Sequence, residues 1–173
     1  MITIRPTREE DLPRIQEIYD GARAFLKAQG VPQWQDGPYP SAADAQADME
    51  AGNGFVAQDE GVVLAVACIA FGREPTYETI LEGSWAADPP EYGFLHRIAV
   101  APQAKGRGVA GLLFEELKRR ARARGLTVIR GDTHRDNRPM QRVMAKAGLS
   151  CRGVILLENG DPRLAFEAVL EGP

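Results

Sequence analysis

Eleven residues carry the clearest chemistry in this chain: Ala101-Pro102-Gln103-Ala104-Lys105-Gly106-Arg107-Gly108-Val109-Ala110-Gly111. Glycine at 106 and 108 allows a tight turn in which successive backbone N–H groups converge. The helix that the following residues predict adds about half a positive charge at the same place. Lys105 and Arg107 bring two full charges. A loop of this make-up suits a phosphate or pyrophosphate. The spacing Gly106-x-Gly108-x-x-Gly111 also satisfies a dinucleotide pattern, with Asp132 about 20 residues on. That pattern should begin directly after the first strand of a βαβ unit, whereas Pro102 and several further residues intervene after Val100. A nicotinamide-dependent reductase is therefore the lesser alternative. The GxxxxGK[ST] pattern of P-loop proteins is absent.

His96 is the second chemical feature. An imidazole gains and loses a proton near neutrality, which suits general base work. His134, in Asp132-Thr133-His134-Arg135-Asp136-Asn137, is a candidate for a second relay or for ordering its loop. The two cysteines, Cys68 and Cys151, form neither a disulfide framework nor a CxxC site. No histidine adjoins Cys151, so a covalent route has little support. With two histidines in the chain, no protein-bound metal is expected. The basic run Lys118 to Arg124 reads as a solvated helix end that complements the helix dipole, with an RNA contact as the lesser alternative.

These residues need elements to hold them. Thr3 to Arg5 predicts a first strand. Thr7-Arg8-Glu9-Glu10 matches a capping box, with Asp11 a second cap candidate. Leu12, Ile15, Ile18, Ala22 and Phe25 or Leu26 then recur at helical spacing, up to Gly30. Residues 32–40 form a loop by their prolines and glycine, and Ser41 caps a short helix through Ala51. Gly54 to Gln58 and Val62 to Phe71 predict a hairpin whose second strand, apolar on both faces, should be central. Gly72 to Pro90 is a long insertion with some extended structure. A strand over Phe94 to Val100, a helix over Gly106 to Arg124 and a strand over Thr127 to Thr133 follow. Asn137 caps a helix running to about Ala147. Leu149 to Leu157 and Leu164 to Leu170 make a last hairpin. The fourth and fifth strands can be parallel, because a helix-length crossover joins them. The class is a mixed α/β sheet with helices on its faces.

The 173 residues fit one domain, 1–173, with a core that needs no disulfide or metal. At 44% hydrophobic and 26% charged residues the composition is that of an ordinary globular domain. No stretch approaches the 18–20 or so apolar residues of a membrane span. A net charge of −3 argues against a nucleic-acid partner and permits attraction to cations. With no apolar signal core at the N-terminus, the expected compartment is the cytoplasm.

Three segments carry a family resemblance. Leu95-His96-Arg97-Ile98-Ala99-Val100-Ala101-Pro102-Gln103-x-x-Gly106-x-Gly108-x-Ala110 resembles the Q/R-x-x-G-x-G/A motif of the GNAT superfamily of N-acetyltransferases. Asn137-Arg138-Pro139-Met140-Gln141-Arg142-Val143-Met144-Ala145-Lys146-Ala147-Gly148-Leu149 is similar to that family's N-x-x-A-x-x-L-Y-x-K-x-G-F segment. The opening Ile4-Arg5-Pro6-x-x-x-x-Asp11-Leu12 is similar to a common start in the superfamily. Each motif alone is weak; three in this order and spacing are specific.

The resemblance implies a GNAT-like acyl-CoA N-acyltransferase fold, with its fourth and fifth strands parallel but splayed to admit the pantetheine arm of acetyl-CoA. Ile98, Ala99 and Val100 would offer backbone groups to pantetheine and the thioester. Gln103, Ala104, Lys105, Gly106, Arg107, Gly108, Val109 and Ala110 would hold the pyrophosphate, and Asn137 and Met140 would touch the CoA arm. The implied reaction moves the acetyl group of acetyl-CoA to a primary amine of a small molecule or peptide, by direct attack in a ternary complex. His96 is the candidate base, and serotonin N-acetyltransferases have a working histidine in a similar L-H-x-L-A-V segment. Glu82 and Glu91 could share that role. The loops that receive the acceptor in this fold hold Trp34, Tyr39, Trp85 and Glu91, and such aromatic and acidic groups suit a cationic amine. No partner beyond the acceptor is implied, and the chain would act as monomer or homodimer. One departure stands out. The tyrosine that often acts as general acid is Met144 here, and a thioether cannot donate a proton. Either Tyr92, Tyr39 or Cys151 supplies the proton instead, or CoA leaves as thiolate and takes a proton from water. Met144 also keeps open a CoA-binding sensor or scaffold without turnover.

Overall fold

A computed structural model describes residues 1–171; the last two residues of the expected domain, Gly172 and Pro173, lie outside the described residues. The sheet has seven strands: β1 (Ile2–Pro6), β2 (Gly54–Asp59), β3 (Val62–Gly72), β4 (Tyr92–Val100), β5 (Val128–Thr133), β6 (Ser150–Leu156) and β7 (Pro162–Val169). Their order is β1-β2-β3-β4-β5-β7-β6. The helices are α1 (Leu12–Ala28), α2 (Ala42–Glu50), α3 (Val109–Ala123) and α4 (Arg138–Lys146). The expected mixed sheet is therefore present, with β3 inside it. β4 and β5 run parallel, as their crossover helix requires, and their register comprises Gly93 with Ile129 and Phe94 with Arg130. Among the described residues no helix is long and apolar enough to cross a membrane.

The chain divides into two compact units. The first comprises Met1–Ile69 and His96–Leu113. There α1 turns Ile15, Ile18 and Tyr19 onto Val56, Val63, Val66, Ala99 and Ala101, and Ala45 of α2 joins them. Each fully buried large aliphatic side chain contributes about 1.5–3 kcal/mol. Asp11 does not cap α1 as its position predicts. Its backbone is already helical (φ −80°, ψ −20°), and its side chain makes no capping bond to that helix. Arg5 of β1 reaches the carboxylate with two hydrogen bonds, of 2.7 and 2.9 Å, and the Arg8 amide donates a third at 2.7 Å. Thr7, the other cap candidate, is buried with its hydroxyl unpartnered. Ser41 does cap α2, where its own amide is held by Asp44 at 2.8 Å.

The second unit comprises Ala70–Leu95 and the chain from Phe114 on. Its core contains an ion pair at its centre. Arg130 is 0% exposed and Glu167 3% exposed. Arg130 Nε donates to Glu167 at 3.1 Å, and the guanidinium lies 4.0 Å from the Trp85 ring centroid and 4.2 Å from that of Tyr92. The same pair holds the 72–90 insertion: Arg130 donates to the Ala87 carbonyl at 2.6 Å, and Glu167 accepts from the Ala86 amide at 2.7 Å. The extended structure expected in the insertion is a single bridge. Leu81 and Val154 exchange hydrogen bonds of 2.7 and 2.8 Å on the outer edge of β6, and Ser84 donates to the Arg152 carbonyl at 3.1 Å. Gly83 lies so near β6 that a β-carbon on it would stand 1.9 Å from the Arg152 carbonyl oxygen.

Candidate functional site

β4 ends at Val100, and the Ala101 amide still donates to Leu64 of β3 at 2.8 Å. A short 3-10 turn, Pro102–Ala104, follows. The sequence predicts helix from Gly106, but α3 starts at Val109. The reason is the backbone: Gly106 and Gly108 take φ of +81° and +74°, left-handed values that cannot continue a right-handed helix. A β-carbon on either glycine would meet nothing within 4 Å, so the space over the turn is open. The Leu112 amide donates to the Gly108 carbonyl at 3.2 Å, which leaves the amides of Val109, Ala110 and Gly111 without intrahelical acceptors. An anion set against them would meet convergent donors and the positive end of a 15-residue helix. Gln103, Lys105 and Arg107 are exposed around the turn, while Ala104, Val109 and Ala110 are buried under it. The Arg107 guanidinium is held by Asp59 at 2.7 Å. The Lys105 ammonium lies over the Phe25 ring, and burial lowers its pKa.

The strand that leads into this turn is not regular. Arg97, in mid-strand, has φ +51°, a conformation a non-glycine residue rarely holds. Sequence reasoning did not single it out, since Leu95-His96-Arg97-Ile98 reads as ordinary strand. Both ends of Arg97 are fixed. Its guanidinium donates to both carboxylate oxygens of Asp48, at 2.9 and 2.5 Å, and to the Tyr39 hydroxyl at 3.2 Å. Its carbonyl accepts from the hydroxyl of Tyr19, which is 0% exposed, at 3.1 Å. Beyond Arg97, peptide groups alternate in direction along the strand. Ala101 and Ala99 therefore face β3, and Ile98 and Val100 face away from it. Cys68 is buried beside this cluster; burial, and then the Asp48 charge, push its thiol up to about 12, so it stays protonated at neutral pH.

His96 is half-buried on β4, one residue before Arg97. Tyr39 is 44% exposed, and burial of its hydroxyl side raises its pKa, against the pull of Arg97. Trp34 packs edge-on against Tyr19, with ring centroids 6.3 Å apart. These three belong to the first unit, with the turn and Arg97.

Glu82, Trp85, Glu91, Asn137 and Met140 belong to the second unit. Glu82 and Glu91 are exposed. Trp85 is engaged within its own unit: its indole N–H donates to the Tyr77 carbonyl at 2.8 Å and its face covers Arg130. Asn137 caps α4, its side chain accepting from the Met140 amide at 3.3 Å. His134 orders the approach to that helix, with Nδ1 accepting from the Asp136 amide at 3.0 Å. Burial, and then the Arg163 charge, lower its pKa, which keeps the neutral acceptor form. Met144 is buried on α4 beside Gly131. Of the candidate proton donors, Tyr92 is occupied at both ends by Glu74, whose amide donates to its hydroxyl at 2.8 Å. Cys151 is exposed. Among the described residues no group of three or more His, Cys, Asp or Glu could hold a metal ion.

Comparison with known proteins matches residues 14–149 to the model of the acetyltransferase (GNAT) family. Among solved structures, a GNAT-family acetyltransferase from Streptococcus agalactiae is 31% identical, with a TM-score of 0.86 over 98% of this chain and 96% of that one. A Salmonella typhimurium protein solved with its cofactor acetyl-CoA is 19% identical, with a TM-score of 0.68 over 100% of this chain and 96% of that one. A ribosomal-protein-alanine N-acetyltransferase from Brucella melitensis is 23% identical, with a TM-score of 0.68 over 97% of this chain and 99% of that one. No curated protein matches this sequence.

Proposed function

The chain belongs to the GNAT acetyltransferase family, and from that membership we propose that it transfers the acetyl group of acetyl-CoA to a primary amine of a small molecule or peptide, by direct attack in a ternary complex. The observation that carries the reading is the turn at 101–108, where two left-handed glycines deliver the chain to the open start of a 15-residue helix. Gln103 to Ala110 would hold the pyrophosphate, chiefly through backbone amides. Ile98 and Val100, whose peptide groups face away from β3, would lie along the thioester. One of their amides would then stabilise the negative charge that builds on the carbonyl oxygen.

His96 would take the proton from the attacking amine. Met144 cannot supply a proton to the departing thiol. Tyr39 can: its hydroxyl accepts from Arg97, its own proton is left to give, and its raised pKa keeps it protonated. The family match spans parts of both units, which supports reading residues 1–173 as one acetyltransferase domain.

Thermal unfolding with candidate ligands tests the assignment. Acetyl-CoA at a hundredfold excess over Kd should stabilise the protein by about 2.7 kcal/mol and raise Tm, and NADH should not. Gly108→Val should abolish most of that shift, because valine cannot hold a φ of +74° without strain. A larger shift with NADH would overturn the reading. A panel of amines, polyamines, amino acids and peptides, read by CoA release, then separates turnover from binding. Binding without release on any acceptor would favour the sensor alternative that Met144 keeps open.

A further inference from the structure

We propose that Tyr19 and Asp48 are positioning residues for acetyl transfer, acting as a two-point latch that holds Arg97 in its left-handed conformation and so aims the peptide groups of Ile98 and Val100. The inference rests on the acetyltransferase reading above, and it goes further by assigning a role to two residues that lie outside both the turn at 101–108 and the groups proposed to meet the thioester. A non-glycine residue keeps positive φ only where its surroundings over-determine it. Arg97 meets that condition from two helices. Asp48 of α2 takes the guanidinium with two hydrogen bonds, of 2.9 and 2.5 Å, and the pair is 20% and 12% exposed. Tyr19 of α1, wholly buried, donates to the Arg97 carbonyl at 3.1 Å.

The side chain and the main chain of one residue are thus tied to different elements. A slip at residue 97 would reverse which peptide groups face β3, because direction alternates along a strand. The groups proposed to meet the thioester would then point into the sheet. The latch bears on alignment, whereas the turn at 101–108 bears on affinity. Its loss should therefore lower kcat and spare the binding of acetyl-CoA.

Substitutions at position 97 test this. Asp48→Asn should lower kcat about tenfold on the best amine and change the acetyl-CoA Kd by less than about twofold. Combining Asp48→Asn with Arg97→Gly should restore part of the lost kcat, since glycine holds positive φ unaided. Combining it with Arg97→Ala should not, although both double variants remove the same charge and lose the contact with Tyr39 equally. Any loss of Tm from the missing ion pair should be equal in the two doubles, so the split between them reads the backbone alone. Tyr19→Phe, which deletes only the hydroxyl, should lower kcat severalfold with Kd unchanged. Equal kcat in the glycine and alanine doubles, or the parent's kcat in Asp48→Asn, would overturn the latch. Should the parent release no CoA with any acceptor of the panel, the function reading fails separately. The latch is then read by amide hydrogen exchange over residues 95–101, which should be faster in Asp48→Asn and in the alanine double and restored in the glycine double. Parent-like exchange in all three would overturn it.

Discussion

His96 stands one residue before the left-handed Arg97, and its proposed task separates proton transfer from cofactor binding. His96→Ala should leave the acetyl-CoA Kd nearly unchanged, because the phosphates are proposed to sit on the turn at 101–108. It should lower kcat by about 10²–10⁴, the range for loss of a general base. The limb on which the parent's rate rises with pH should vanish in the variant, and part of the lost rate should return at high pH, where free amine is abundant. A pH–rate profile of both proteins checks this; a parent-like profile in the variant would move the base elsewhere. At this scale the sequence showed the chemistry it could show by type. Glycines, lysine and arginine in one short loop announce a tight turn suited to an anion. Arg97 was hidden for a physical reason: nothing local marks a left-handed arginine, and its partners Asp48 and Tyr19 lie 49 and 78 residues away in the chain.

Elements were legible wherever period and caps agreed. The hairpin of β2 and β3, the Ser41 and Asn137 caps and the parallel pair of β4 and β5 all follow from local pattern. The errors lie where one residue serves two elements. Asp11 looks like a helix cap, but Arg5 arrives from β1 and takes the carboxylate. Gly106 and Gly108 look like the start of α3, and instead their conformation delays it. The 72–90 insertion carries no period at all, because Arg130 and Glu167 on two strands hold it by its backbone. Removing one member of a buried pair strands the other charge. Glu167→Ala should therefore cost about 3–5 kcal/mol in denaturant unfolding. It should also speed proteolytic cleavage within 72–90, since the Ala86 amide loses its acceptor. Unchanged stability and cleavage would show that the insertion is held by its aromatic contacts alone.

For the molecule as a whole, the Asp11 carboxylate links folding to acidity. Burial alone would push its pKa up, but the Arg5 guanidinium and the Arg8 amide outweigh burial and hold it below the ordinary carboxyl value of 3.8. A depressed folded pKa means that the unfolded chain takes up the proton first as pH falls. The stabilisation is thus fully present above the unfolded value and is lost as pH drops through the folded one. Unfolding free energies of the parent and of Asp11→Asn should differ most at neutral pH and converge well below pH 4 or so. A difference that stays constant across that range would assign the contribution of Asp11 to packing. Composition alone could not have given this, because a net charge of −3 counts carboxylates without saying which are held.

The bridge between Leu81 and Val154 bears on how the molecule behaves in a crowd of its own copies. An outer strand with free amides and carbonyls is a template for a neighbour's chain, and intermolecular sheets grow from such margins. Here the insertion caps part of the β6 margin with its own backbone. It approaches closely enough that only glycine fits at position 83. The stretch without period is therefore also a guard against self-association. A side chain at position 83 would lift the guard and leave β6 open to aggregation, with the turn at 101–108 untouched.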